Sequence, residues 1–510
     1  MIDDLESIIH TDEIENDSDK FPMKQLKVPG QQQDINILCI SNSKKFIYLI
    51  TDRGELLCID SKTLEPIQQS FSITSTSNNA SIKFKENFTK IWTDREGNHS
   101  IIKYKGKCYY FNILCNAVKE IECFQNIEIC AVGFDDNNKN KKSTGLFLAS
   151  DYDNNIYECE IQIDEKSSNN EKIIEGIKKL TTLQTVDWDT EEEDEEFLEP
   201  KKKKHERIYG IKFFKTTKPK KDLTPNDDIY YIICATRTRF YQFTGPGEQT
   251  FLQLFKKFEK QPMLFNDSCK YFPSSQKNSK IFTGSDVNIL YKTDERVDQF
   301  GWKTETGFCF GYFNFIDYLP KELNNFTVVP FEKINQKGKK EKELEPLSIT
   351  HTQNHIFMLY DDCVTIISKL TSNIIHSIYL KSQYTGILYN EFAEDNGVIL
   401  LYSKNGLHQI SLKEENKEIW KDYLDIGDYT NALKCVEGDA KLTRRINRIN
   451  AEEYYDNKDY INSAMKFNDS DEKFEIVCLK YLMKNELDTL KLYCELYLSA
   501  NVEIKEKENV

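Results

Sequence analysis

Two short apolar runs joined by a polar turn form a pattern that occurs seven times before residue 413, and it constrains the fold more than any other feature. The runs are rich in β-branched and aromatic residues, which is typical of strands. One small sheet of this kind cannot bury both of its faces, so successive copies have to stack on one another. The turns lie at residues 52–54, 105–106, 151–154, 237–239, 304–307, 361–362 and 405–406.

The spacing of these turns favours a β-propeller. Successive turns are separated by roughly 45–85 residues, and a repeat of about 40–50 residues with four strands is typical of a propeller blade. We therefore predict an all-β N-terminal β-propeller over residues 31–413, with about seven blades and six as the alternative count. Residues 1–30 are polar and charged, and we expect them to be a flexible arm.

Two charged inserts interrupt the pattern, at residues 187–206 and 335–345. We expect both to be disordered loops, because such runs cannot bury enough apolar surface to become ordered. The lysines at 201–204 leave a nuclear signal or a phosphate-binding patch open as an alternative. The acidic block beside them neutralises their charge and favours a solvated loop.

The spacing of apolar residues changes from strand-like to helix-like after residue 413. Ile419, Trp420 and Tyr423 lie on one helical face, Gly427 suits the end of that helix, and Asp428 can cap the next one. We predict the start of an α-solenoid at residues 414–500, built from three helix pairs, with a charged tail at 501–510. The second helices should begin near Asp428, Asp459 and Glu486.

Small residues and an apolar end characterise the predicted solenoid. Ala432 and Ala464 are expected where helices cross, as in other helical repeats. The last pair has no polar cap, so we expect its end to be covered by a partner or by further chain. The apolar residues of that end are Leu490, Leu492, Tyr493, Leu496, Tyr497 and Leu498.

Composition argues against several classes of partner and site. The net charge of −15 repels phosphate, so we predict no nucleic-acid partner. The fourteen cysteines show no zinc-ligand spacing, and we expect reduced thiols, buried where they lie in strand runs. We find no signal peptide and no apolar run of about 18 residues, and predict no transmembrane segment. The strand-run cysteines are Cys39, Cys58, Cys130, Cys159 and Cys234.

A search for catalytic motifs finds no nucleophile elbow, phosphate loop or zinc-protease signature. His351 and His355 are four residues apart, but their segment is predicted as strand, turn and strand, where that spacing does not align side chains. Trp302 and Trp420 are interpreted as core residues. We therefore predict no catalytic, cofactor-binding or metal-binding residues, no cofactor, and no enzyme.

Four segments resemble the deep-orange family of vacuolar protein sorting proteins, the "eighteen" subunit of the class C core shared by the HOPS and CORVET complexes. The segments are 300–311 and 346–361 in the predicted propeller, and 418–429 and 451–464 at the entry to the predicted solenoid. Members of that family are longer and end in a RING-type zinc domain, for which this sequence shows no Cys–His cluster. Zinc binding and ubiquitin-ligase activity are therefore not carried over. The apolar end at 490–498 fits a chain that is cut short, and a complete chain stays open as the alternative.

The resemblance implies a non-enzymatic scaffold subunit of an endolysosomal membrane-tethering complex, which supports vesicle docking, fusion and transport to the lysosome or vacuole. Its implied partners are the other class C subunits, bound through the solenoid, and indirectly SNAREs and small GTPases. Its implied location is cytoplasmic, peripheral on late endosomal and lysosomal or vacuolar membranes.

Two alternatives stay open at this point. The first is a coat-type or nuclear-pore scaffold, since those proteins share the order of propeller and then solenoid. The second is an enzyme with its site in the central channel of the propeller. That enzyme would need polar residues that converge at the inner ends of several blades.

Overall fold

The computed structural model describes most of the chain, with gaps at several loops. The described residues are 21–28, 35–73, 88–115, 117–164, 172–183, 207–217, 228–246, 250–260, 269–271, 287–293, 296–304, 307–313, 326–331, 333–334, 342–343, 345–394, 396–404, 406–413 and 415–508. The chain divides into one compact unit that ends at Lys413 and a helical unit that begins at Glu414 and includes the turn Ser368–Asn373.

The first unit is built from strands. In chain order they are β1 Met23–Leu26, β2 Ile37–Asn42, β3 Phe46–Thr51, β4 Glu55–Asp60, β5 Pro66–Ser72, β6 Lys90–Thr93, β7 His99–Tyr104, β8 Lys107–Asn112, β9 Ala117–Glu120, β10 Ile129–Gly133, β11 Ser143–Asp151, β12 Asn155–Ile163, β13 Ile173–Thr182, β14 Gly210–Thr217, β15 Asp228–Ala235, β16 Arg239–Pro246, β17 Cys269–Tyr271, β18 Asn288–Thr293, β19 Arg296–Lys303, β20 Gly307–Tyr312, β21 Phe326–Pro330, β22 Lys333–Ile334, β23 Lys342–Glu343, β24 Ser348–His351, β25 His355–Leu359, β26 Cys363–Ser368, β27 Ile374–Tyr379, β28 Gly386–Asn390, β29 Val398–Ser403 and β30 Gly406–Ser411.

These strands form seven four-stranded antiparallel sheets and one two-stranded ribbon, β22–β23. Sheets 1 to 6 are β2–β5, β6–β9, β10–β13, β14–β17, β18–β21 and β24–β27, and sheet 7 has the order β1-β30-β29-β28. Each of the seven predicted hairpins is the middle pair of strands of one sheet. The prediction of a β-propeller is confirmed, and the count is seven blades.

Buried apolar clusters lie between consecutive sheets and close the ring. Six clusters each join one sheet to the next around the ring. The first lies between sheets 1 and 2, and the sixth lies between sheets 6 and 7. A seventh cluster packs Ile47 and Leu57 of sheet 1 against Leu400 and Leu407 of sheet 7. Fully burying such side chains contributes about 1.5–3 kcal/mol each, so this inter-sheet packing is the main source of stability of the ring.

The N-terminal strand β1 closes sheet 7. Met23 pairs with Ile410 and Leu26 pairs with Leu407, so β1 covers the edge of β30 with a strand from the opposite end of the unit. Phe21, just before it, is buried 6.2 Å from the Phe357 ring. The expectation of a loose arm over 1–30 is therefore wrong for Met23–Leu26, and residues 1–20 lie outside the described residues.

Two buried lysines link neighbouring sheets. They lie at equivalent positions, near the ends of β7 and β19, which are the second strands of sheets 2 and 5. The Lys103 ammonium donates to a carbonyl of β10 at 3.0 Å and lies 3.8 Å from Glu128. The Lys303 ammonium donates to a carbonyl just before β24 at 2.9 Å and lies 2.8 Å from Glu345. Burial lowers the pKa of both lysines. Lys103 thus links its sheet to the innermost strand of the next sheet, and Lys303 links its sheet to the residues just before that strand.

The second charged insert is partly ordered. Lys342–Glu343 pairs with Lys333–Ile334 in the two-stranded ribbon, and Glu345 pairs with Lys303. The expectation of disorder is therefore wrong for these residues, because a buried ammonium group and backbone pairing hold them. Residues 187–206 and 335–341 lie outside the described residues.

A helix, α1 Phe251–Lys260, lies between β16 and β17 in the chain and is absent from our sequence-based prediction. Its apolar residues recur at i, i+3, i+4 and i+7 and are buried in the cluster between sheets 3 and 4. They are Phe251, Leu254, Phe255 and Phe258. The helix fills the perimeter between the two sheets.

Six helices follow in the second unit: α2 Ile419–Asp425, α3 Tyr429–Cys435, α4 Ala440–Asp456, α5 Tyr460–Asn468, α6 Phe474–Met483 and α7 Leu487–Glu508. Gly427, whose φ is +75°, follows the end of helix α2, and the Asp428 carboxylate accepts the backbone N–H of Asn431 as the cap of α3. Helices α5 and α7 begin where the sequence predicts. Ala432 and Ala464 are fully buried between helices. The described helices match the predicted start of an α-solenoid.

We expect the N-terminal strand to be required for stability of the ring. Deleting residues 1–28 should lower the midpoint of thermal unfolding well below that of a chain that lacks only residues 1–18. Phe21→Ala in the full chain should cost about 3 kcal/mol, because an aromatic side chain is lost from a packed core. Urea unfolding of the three variants measures this, and equal stability of both deletions would contradict ring closure by β1.

His99 gives a second prediction, because its contacts fit only the neutral imidazole. Nε2 lies 2.7 Å from the Asn140 carbonyl oxygen, which can only accept, so Nε2 carries the proton. Nδ1 then accepts from the Tyr110 hydroxyl at 2.8 Å and from the Asn112 amide at 3.0 Å. Burial lowers the pKa of His99 to about 4.

Because the folded-state pKa of His99 lies below its value of about 6.5 in the unfolded chain, the unfolded state binds the proton first as the pH falls. The contribution of His99 to the free energy of unfolding is fully present above pH about 6.5. It decreases by about 3 kcal/mol as the pH falls to about 4. The Asp94 carboxylate accepts the backbone N–H of His99 at 2.6 Å, and burial raises the pKa of Asp94 to about 7, which changes stability in the opposite direction. The difference between wild type and His99→Gln, measured by urea unfolding from pH 7 to 4.5, isolates the histidine, and parallel curves would contradict the assignment.

Candidate functional site

The innermost strands of all seven sheets line a central cavity of about 580 Å³. Its lining mixes apolar side chains, Ile40, Val132 and Phe308 among them, with a comparable amount of polar surface, and Lys90 and Lys212 supply positive charge. A cavity of this kind is where a channel enzyme or a ligand site would lie.

Four polar side chains from four different sheets converge at one mouth of this cavity. The Arg95 guanidinium lies 3.1 Å from the centre of the Tyr291 ring, and its Nη2 is 3.9 Å from Glu391 Oε1. The Tyr291 hydroxyl donates to an Asp136 carboxylate oxygen. Arg95, Asp136 and Glu391 each follow the innermost strand of their sheet, and Tyr291 lies on β18 itself.

These groups are engaged with one another. Burial raises the pKa of Asp136, while Lys212 and the Tyr291 hydroxyl favour its charged form. Burial also raises the pKa of Tyr291 well above its ordinary value, so the phenol stays protonated as a donor. Arg95 completes the arrangement as a cation over an aromatic face. The cluster connects sheets 2, 3, 5 and 7 across the mouth, and we call this set of contacts a strut.

Two potential nucleophiles along the cavity, Ser43 and Cys39, have structural contacts. Ser43 Oγ donates to the Phe46 carbonyl within a tight turn, at 2.8 Å. Burial raises the pKa of the Cys39 thiol to about 12, which keeps it neutral and unreactive at physiological pH. Arg95, Asp136 and Tyr291 thus contact one another at the mouth, and Ser43 stabilises a turn.

His351 and His355 lie in the two strands of one hairpin, β24 and β25, so the predicted strand–turn–strand is confirmed. His351 is buried beside the Phe308 ring, 5.4 Å between ring centres. Within the described ranges, His, Cys, Asp and Glu side chains form no group of three that could hold a metal ion. Trp302 is buried and donates from Nε1 to the Thr236 carbonyl at 2.9 Å, and Trp420 is also buried, so both are core residues.

The five cysteines predicted to be buried, Cys39, Cys58, Cys130, Cys159 and Cys234, are all buried free thiols. Burial raises the pKa of each.

The sixth helix carries an exposed apolar surface, because α6 is apolar on both of its sides. Val477 and Tyr481 are fully buried in the core of the helical unit. On the other side, Ile476, Leu479 and Met483 follow one another at i, i+3 and i+7, with 41%, 57% and 85% of their surfaces exposed. A helix that is hydrophobic all round is normally buried on all sides. We call Ile476, Leu479, Leu482 and Met483 the α6 apolar face.

The end of the helical unit was predicted to lack a polar cap, and its residues divide into two groups. Tyr493 is fully buried, and Leu490 packs against the same core. Leu487 and Leu498 are exposed on α7. Exposed apolar residues therefore lie on α6, at the start of α7 with Leu487, and further along α7 with Tyr497 and Leu498.

The α6 face and the cavity mouth were found only in the structure. The sequence carried one signal for the mouth, a charged residue soon after the first strand of several repeats, but those first strands are too irregular to align without coordinates. Our sequence analysis placed the uncapped end at Leu490–Leu498, one helix later than α6. None of the described helices has both the length and the apolar character needed to cross a membrane.

Comparison with known proteins gives consistent results. The Pep3/Vps18/deep orange beta-propeller domain matches residues 20–412. "Vacuolar sorting protein 18" of Arabidopsis thaliana is 24% identical over 276 residues, which is 52% of this chain and 26% of that protein. "Vacuolar protein sorting-associated protein 18 homolog" of Danio rerio is 23% identical over 283 residues, 55% of this chain and 27% of that protein. The aligned segments thus span about a quarter of the length of these relatives.

Among solved structures, the β-propeller domain of Cps50 (Swd1) from Myceliophteria thermophila aligns over 76% of this chain and 99% of its own. Its identity is 9% and the TM-score is 0.44, too distant a likeness to carry an argument. The family match, by contrast, covers all seven sheets described above, including the closing strand β1. The chain belongs to the Pep3/Vps18/deep orange family.

Proposed function

We propose that this chain is a non-enzymatic scaffold subunit of an endolysosomal membrane-tethering complex, the class C core of HOPS and CORVET, and that it supports vesicle docking and fusion in transport to the lysosome or vacuole. The observation that carries the proposal is the family match over residues 20–412 together with the α6 apolar face. The relatives are named for vacuolar sorting, which favours this membrane system over a coat or a nuclear pore.

The α6 apolar face supports binding of protein partners through the helical unit. Its four side chains are large, adjacent and substantially exposed, and Leu487 extends the surface onto α7. Burying a Leu or Met side chain contributes about 1.5–3 kcal/mol when it was fully exposed, so this patch can supply a large part of a stable interface. In our proposal, other class C subunits cover it, and SNAREs and small GTPases are engaged indirectly through the complex.

The cavity mouth supports a non-enzymatic role. The Arg95 guanidinium stacks on the Tyr291 ring and the Tyr291 hydroxyl donates to Asp136, and contacts of this kind between sheets stiffen the ring. Stiffness is what a scaffold requires of its propeller. In our proposal the chain lies in the cytoplasm and associates peripherally with late endosomal and lysosomal or vacuolar membranes through the complex.

Affinity purification from cells tests the proposal. A tagged wild-type chain should recover the sister class C subunits, and a Leu479→Glu/Met483→Glu variant should recover at most about a tenth as much, because two charges would be buried in the interface. Exposed positions tolerate such changes within about 0.5 kcal/mol, so the fold should remain intact.

Ile374→Glu/Tyr379→Glu is the matched control, since both residues are exposed and apolar but lie on β27 of the propeller. It should recover the subunits as well as wild type does. Recovery of no sister subunit by the wild-type chain, or of coat or nuclear-pore subunits in their place, would contradict the proposed function.

A further inference from the structure

Helix α4 carries a row of cations on its solvent side. Lys441, Arg444, Arg445 and Arg448 follow one another at i, i+3, i+4 and i+7 and fall within about 100° of the helix circumference. The opposite side of α4 is buried, with Ile446 as its centre. The four cations, which we call the α4 cationic stripe, extend over about 10 Å.

Most of the stripe has no partner among the described residues. Lys441, Arg444 and Arg445 are exposed, and none of them forms an ion pair within the part of the chain that the structure describes. Arg448 is the exception, because its Nε lies 3.6 Å from Asp471. Like charges on neighbouring turns repel one another and destabilise an isolated helix. Such a row is therefore a cost to the helix unless a partner offsets it.

Two acidic groups that flank the stripe are already engaged. The Asp439 carboxylate accepts the backbone N–H groups of Lys441 and Leu442 at 3.0 Å each, as the cap of α4. Glu452, one turn beyond the stripe, pairs with Lys480. These acids flank the stripe at both ends and leave a narrow positive strip between them.

The shape of this strip favours a protein segment over a membrane. An anionic lipid surface is a broad plane, and it would meet Asp439, Asp471 and Glu452 together with the cations. A second helix is narrow, and carboxylates at i, i+3, i+4 and i+7 on it match the spacing of the stripe. Arginine adds specificity, because its planar guanidinium pairs with a carboxylate through two parallel hydrogen bonds.

We propose that the α4 cationic stripe is the docking site for an acidic helix of a partner protein, with glutamates or aspartates along one face. The inference deepens the proposed function, on which it rests for the idea that the helical unit binds other proteins. It names the chemistry of a partner at a surface distinct from the α6 apolar face.

The test uses the purified full chain and two fluorescein-labelled, alanine-rich helical peptides of equal composition. One peptide carries four glutamates on a single face, and the other has them distributed around the helix. The single-face peptide should bind more tightly, and its affinity should fall as salt is raised. Arg444→Gln/Arg445→Gln should weaken binding by at least about tenfold, because charge-assisted pairs are lost.

Lys178→Gln/Lys179→Gln is the matched control, since it removes the same charge from exposed positions on the propeller strand β13. It should leave peptide binding unchanged, and circular dichroism should show intact helices in both variants. Equal binding of the two peptides, no binding of either, or binding unaffected by the arginine variant would each overturn the proposal. Arginine-dependent binding to phosphatidylserine vesicles in place of the peptide would also overturn it, in favour of a lipid surface. Peptide binding tests only the α4 cationic stripe, and co-purification of the sister subunits tests the proposed function. A negative result in one experiment therefore leaves the result of the other unchanged.

Discussion

Apolar packing between consecutive sheets is the interaction on which the first unit depends. Each four-stranded sheet has two apolar faces and can bury them only against its neighbours, so the arrangement is stable when the ring is complete. The cluster that joins sheets 7 and 1 completes it, with Leu400 against Ile47. Strand β1 adds backbone hydrogen bonds to that closure, because Met23–Leu26 pairs with β30, the last strand of the ring. Polar links such as Lys303 to Glu345 and Arg95 to Tyr291 then fix sheets that the apolar packing has already brought together.

Much of the first unit could be predicted because its information is local. The turn at Gly406 and the apolar runs on either side of it specify a hairpin within a dozen residues, and six other hairpins do the same. Strand β1 could not be predicted in this way. Met23–Leu26 has only two apolar residues, and its partner Leu407 lies near the other end of the first unit, so only the finished ring shows why it pairs. Helix α1 is a different case, because Phe251, Leu254 and Phe258 carry a helical spacing that the surrounding strand pattern obscured.

The second unit was predictable for a related reason. Gly427 and Asp428 mark a helix end and a helix start through backbone requirements that hold in any fold. Burial was harder to predict than helix position. The apolar residues of α6 recur on all sides, so sequence alone does not separate Tyr481, which is buried, from Met483, which is exposed. The α4 cationic stripe became visible once the buried side of that helix was known.

The central claim is a closed ring of seven sheets whose last sheet is completed by the N-terminal strand. A cysteine cross-link tests it most directly, because Gln25 is directly opposite His408 and such pairs have Cα atoms about 4.5–5.5 Å apart, within disulfide range. The account predicts that Gln25→Cys/His408→Cys forms the new disulfide under mild oxidation, as identified by peptide mass spectrometry. It also predicts that Gln25→Cys/Gln409→Cys, whose side chains point to opposite faces, does not. No cross-link in the first variant, or equal cross-linking in both, would contradict the closed ring.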